Sequence, residues 1–114
     1  MINPNILYDL QAELEPYQIF TEEEVQAVNQ LEIKGGFKKS TKAQTELNAW
    51  IDKGVERFKQ LNEEEKDEFK ALATKFVRTY AFILQIATFI DVNLHKLYIY
   101  LNYLLRKLPR SIYG

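Results

Sequence analysis

Leucine recurs at positions 94, 97, 101, 104 and 108, alternately three and four residues apart. Side chains at that spacing fall on one stripe of an α-helix and on no single face of a strand. Pro109 then closes the segment, because a proline cannot continue the backbone ladder. The same period governs Leu7, Leu10 and Leu14 ahead of Pro16. It returns in Leu47, Trp50, Ile51, Val55, Phe58 and Leu61, and again in Phe69, Leu72, Phe76, Val77 and Tyr80. No run alternates apolar and polar residues, and no hairpin turn signal separates two such runs. The expected fold class is all-α, a compact bundle of about five helices forming a single domain over residues 1–114.

The breaks between helices carry their own chemistry. Asn3 before Pro4 reads as an N-cap followed by a proline in the first turn. Thr21-Glu22-Glu23-Glu24 reads as a capping box, with Phe20 and Val25 placed for a hydrophobic staple. Thr41 with Gln44 repeats the pattern, and Asn62-Glu63-Glu64-Glu65 follows the same logic. Gly35-Gly36 stops the second helix, residues 38–41 form a basic connector, and Asp91 caps the fifth helix. Gly54 lies on the apolar face of the third helix. It costs about 1 kcal/mol relative to alanine there, and it admits a close neighbouring helix. The fourth helix is amphipathic at first. From Phe82 through Ile83, Leu84, Ile86, Phe89 and Ile90 it is apolar on almost every side, so it is buried all round or awaits a partner.

Several function classes are excluded. With no cysteine there is no disulfide, thiolate metal site or cysteine nucleophile. The apolar stretch from Tyr80 to Ile90 falls short of the roughly 20 residues of a membrane span, and the N-terminus shows no signal peptide. The expected location is the cytoplasm. A net charge of −1 gives no global pull toward nucleic acid or acidic lipid. That charge is uneven: residues 1–34 hold seven acidic side chains and one basic, whereas residues 91–114 hold four basic and one acidic. The acidic N-terminal third is expected to lie beside the basic last helix.

Motifs that could carry chemistry are thin. His95 is the only histidine and lacks partners for a metal site or triad. It reads as a surface or partly packed side chain. Glu32-Ile33-Lys34 and Glu64-Glu65-Lys66 match a nuclease-like Glu-x-Lys by chance, without the strand and further acid that such a site needs. Gly35-Gly36-Phe37-Lys38-Lys39-Ser40-Thr41 lacks the glycine before its lysine–serine pair and has no preceding strand, so it reads as a linker and not a phosphate loop. Trp50 reads as a core anchor. Lys96, Lys107 and Arg110, with interleaved tyrosines, are the better candidates for phosphate contacts, ahead of the basic residues of the third helix and its approach.

The residues from Phe69 through Phe76-Val77-Arg78-Thr79-Tyr80-Ala81-Phe82-Ile83, then Asp91, Leu97-Tyr98 and Leu104-Leu105-Arg106-Lys107-Leu108-Pro109, resemble the C-terminal region of type I restriction enzyme R subunits. Leu7-Tyr8-Asp9-Leu10-Gln11-Ala12-Glu13-Leu14 and the Thr21–Val25 box resemble the stretch just upstream. The likeness covers nearly the whole chain and is weakest over residues 34–44. It rests on packing and capping residues, so no catalytic residue carries over. It implies an excised C-terminal fragment that docks an ATP- and Mg-dependent DNA translocase onto a methyltransferase and specificity core. The fragment itself would need no cofactor and would have no enzymatic activity. The alternatives are an auxiliary domain that contacts duplex DNA weakly and without sequence preference, and an unrelated helical adaptor for protein–protein interaction. With the leucine stripe of the fifth helix turned inward, Ile99, Tyr100, Tyr103 and Arg106 are the expected partner-binding face, because tyrosine and arginine dominate interface hot spots.

Overall fold

The computed structural model describes residues 5–33, 41–87 and 91–109, with the backbone alone described over 28–33 and 41–44. Among them are five α-helices and no strand: α1 (Asn5–Leu14), α2 (Glu22–Ile33), α3 (Thr41–Lys59), α4 (Glu63–Ile86) and α5 (Val92–Lys107). The all-α bundle expected from the periodicity is what the chain forms. Its extents are 40 × 37 × 25 Å, so its thin dimension is about two helix diameters.

Local chemistry sets the helix ends. Thr21 Oγ1 accepts from the Glu24 N–H at 3.2 Å, and Glu24 Oε1 accepts from the Thr21 N–H at 3.1 Å. Asn62 and Glu65 exchange the same pair of bonds at the start of α4. Asp91 accepts from the Asn93 N–H at 2.7 Å at the start of α5. Each contact satisfies a backbone donor that the helix itself leaves orphaned. Pro16 does end α1, through a single 3-10 turn over Glu15–Tyr17, and Gln18 then reverses the chain with φ at 55°. The Asn3 cap, the Gly35-Gly36 stop, the residue 38–41 connector and the side chains of the Thr41–Gln44 box lie outside the described residues. Two boundaries differ from expectation. α3 ends at Lys59, so Leu61 packs from the α3–α4 corner. α4 ends at Ile86, capped by Ala87, short of the expected Ile90.

α5 is the hub. It packs against α2, α3 and α4, while α1 reaches the core through α4. The five leucines of its stripe, Leu94, Leu97, Leu101, Leu104 and the C-cap Leu108, are all buried, as their spacing demands. Gly54 does admit a close neighbour: a Cβ built there would sit 2.6 Å from Tyr100 Oη and 3.1 Å from a Leu104 methyl. Phe69 anchors the other half of the core, with Tyr17 on one side (5.8 Å between ring centroids) and Phe58 on the other (6.0 Å).

Candidate interaction surface

Being clasped by three helices changes the role of α5's second face. Tyr100 is 0% exposed and Ile99 is 7% exposed. Tyr100 packs on Phe20 at 5.6 Å and directs its hydroxyl toward the Trp50 carbonyl at 3.5 Å. The expectation that Ile99 and Tyr100 face a partner is therefore corrected. They belong to the core, because α2 and α3 cover the side of α5 that the leucine stripe leaves bare. Tyr103 is half-buried with the Arg106 guanidinium 5.8 Å from its ring centroid, and only Arg106 of the four is well exposed.

Two of the phosphate candidates have partners within the domain. Lys96 Nζ donates to Gln26 Oε1 of α2. Lys107 Nζ donates to Asn48 Oδ1 of α3 at 2.7 Å and lies 3.8 Å from Asp52 Oδ1. Both ammonium groups hold α5 to its neighbours, and Arg110 lies outside the described residues. Trp50 is half-buried with the Lys53 ammonium 5.1 Å from its ring centroid, so it caps the edge of α3 and is not a core anchor. Its place on the helical stripe was legible, but not that the stripe turns outward there. In Glu64-Glu65-Lys66, Glu65 serves the capping box and Lys66 pairs with Glu63 at 3.2 Å, which leaves no nuclease-like arrangement.

His95 is partly packed, as expected. Its Nδ1 lies 2.9 Å from Tyr80 Oη, and Tyr98 stacks on Tyr80 at 4.5 Å between centroids. Burial, followed by the influence of Tyr98 and Asp91, pushes the Tyr80 phenol up to about 12. At the start of α5, Tyr8 donates to Asp91 Oδ2 at 2.8 Å. That bond, with the Asn93 N–H second, holds the Asp91 carboxyl below its ordinary value.

The acidic N-terminal third does meet α5, through α2, but its ionic partner comes from α3. Arg57 Nη1 reaches Glu24 Oε1 at 2.5 Å and the Ile19 carbonyl at 3.2 Å. Glu24 is 2% exposed, and its second oxygen has no hydrogen-bond partner among the described residues. Beside this pair a cleft of about 720 Å³ opens between α1, α2 and α5, with Tyr8, Phe20, Val25, Arg57 and Leu97 in its wall. Among the described residues no three His, Cys, Asp or Glu side chains gather where they could hold a metal ion.

The surface that stands out is apolar. Phe82 is 49% exposed, Leu84 41%, Ile86 67% and Val92 50%. These four flank the α4–α5 corner, and only Tyr8 joins them as an exposed large apolar side chain among the described residues. Comparison with known proteins adds no constraint: no family model, curated protein or solved structure matches this chain. No described helix is long and apolar enough to cross a membrane.

Proposed function

We propose that this chain is a non-catalytic docking domain, the helical assembly region of a cytoplasmic type I restriction R subunit, joining an ATP- and Mg-dependent motor to its methyltransferase and specificity core. The observation that carries the reading is the apolar corner of Phe82, Leu84, Ile86 and Val92. Phe82 and Ile86 lie one turn apart on the same side of α4, with Leu84 exposed on another side, and large apolar side chains exposed next to each other mark a contact surface on an otherwise polar domain. The resemblance in packing and capping residues supplies the identity of the larger machine. Lys96 and Lys107 are engaged within the domain, which favours a protein partner over duplex DNA.

The test is assembly. Phe82→Ser with Ile86→Ser should leave the helical circular dichroism intact, because both side chains already face solvent. In the full R subunit the double variant should bind the methyltransferase core more weakly by at least ~2 kcal/mol, the scale of an interface hot spot. Unchanged assembly would remove this corner from the interface.

A further inference from the structure

The solvent stripe of α4 is charged before it turns apolar, and the order of its charges is self-complementary. Glu64, Asp67, Ala71, Lys75 and Arg78 are all exposed. At 100° per residue they fall within an arc of about 80°. None of the four charged side chains forms an ion pair or hydrogen bond among the described residues, whereas Glu63 and Lys66 beside them are paired. Ala71 sits at the middle, in a shallow groove of about 520 Å³ that also takes in Thr74, Lys75 and Arg78.

We propose that α4 pairs antiparallel with α4 of a second copy of this chain, about a two-fold axis at Ala71. In that register position 64 faces 78 of the other copy and position 67 faces 75. Glu64 meets Arg78, Asp67 meets Lys75, and symmetry makes each pair twice. The acids lie N-terminal to the small residue and the bases C-terminal to it, at equal steps of seven and four residues. An isologous contact requires that symmetry. A parallel pairing would set like charges against each other. Alanine at the crossing lets the backbones approach within the 8–10 Å of packed helices. Exposed ion pairs add little strength individually, so they fix the register of a weak, salt-sensitive dimer. The contact ends before the apolar corner: the position facing Phe82 would be 60, which precedes α4. The corner stays available to another partner, so this inference does not rest on the proposed function.

Sedimentation velocity on the full chain tests the dimer. A reversible dimer is expected at around 0.1 mM, the regime of a small polar interface, and it should weaken as salt rises from 50 to 500 mM, because the shorter Debye length screens the exposed pairs. Arg78→Glu alone, or Glu64→Arg alone, should weaken it at least tenfold. The two together should restore it to within about threefold, because 64 and 78 then meet with their signs exchanged. Ala71→Cys, the sole thiol in a chain without cysteine, should oxidise to a covalent dimer, and Ala49→Cys on the exposed side of α3 should not. Circular dichroism confirms that each variant folds. A chain that stays monomeric at these concentrations overturns the proposal. So does a dimer indifferent to Arg78→Glu and abolished by Phe82→Ser, which would place the contact at the apolar corner.

Discussion

Gly54 shows how a single position can reverse a propensity rule. Judged by helix propensity alone, Gly54→Ala in α3 would stabilise the chain by about 1 kcal/mol. The space a methyl group would enter is already held by the buried Tyr100 hydroxyl, 2.6 Å away, and a Leu104 methyl. Tyr100 cannot swing aside without opening the α3–α5 contact. We expect urea unfolding to show Gly54→Ala destabilised by about 1–3 kcal/mol, the cost of overpacking; a more stable variant would mean that α5 packs further from α3. Tyr80 is the residue whose titration the fold controls. Its folded value is raised to about 12, while an unfolded tyrosine titrates near 10. Its contribution is therefore complete below pH 10 and is lost as pH rises from 10 toward 12. Tyr100 is shifted in the same direction, by burial first and Glu24 second. Phenolate absorbance at 295 nm should show these two tyrosines ionising together with the loss of helical signal. Early, independent titration of all seven would put Tyr80 and Tyr100 outside the core.

At the scale of elements, the starts of α2, α4 and α5 were legible and the ends of α3 and α4 were not. Capping boxes can be read because they are local: Thr21 with Glu24 and Asn62 with Glu65 need nothing beyond three residues of chain. The end of α4 is not local. Its apolar run continues past Ile86 into residues 87–90, and periodicity alone cannot show that Ala87 turns extended. The two capping boxes also differ in what they support. Asn62 sits at an exposed start, so Asn62→Ala should cost about 1 kcal/mol, the ordinary worth of a cap. Thr21 also donates its hydroxyl to Glu24 Oε1 at 2.9 Å, the same oxygen that pairs with Arg57. Losing Thr21 therefore loosens a buried carboxylate as well as a helix end. Thermal melts should place Thr21→Ala below Asn62→Ala, nearer the upper cap value of about 2 kcal/mol; equal losses would show that Glu24 is held by Arg57 alone.

At the scale of the whole molecule, the leucine stripe correctly marked one face of α5, but a stripe does not reveal how many helices surround it. Tyr100 looks like an interface residue when α5 is given one buried side. With α2, α3 and α4 all packed on it, both sides are interior and Tyr100 is core. The exposed corner at Phe82 and Ile86 was visible in the sequence only as an excess of apolar residues, with no indication of which would face solvent. The hub arrangement carries its own prediction. α1 reaches the core through α4, and α2 and α3 share a contact of their own; apart from the Phe58–Phe69 ring contact between α3 and α4, these two pairs are joined mainly by way of α5. A chain ending at residue 90 loses Leu94, Leu97, Tyr100, Leu101 and Leu104, each at most 1% exposed. At about 1.5–3 kcal/mol for each large apolar side chain buried, the five together are worth roughly 8–15 kcal/mol, as much as the roughly 5–15 kcal/mol by which a domain of this size is stable. Circular dichroism of the truncated chain should show weak helicity and a melt without cooperativity. Adding residues 91–114 as a separate peptide should restore both, because the segment contributes side chains and not connectivity. A truncated chain that still melts cooperatively would mean that α1 to α4 hold a core of their own and that α5 merely covers it.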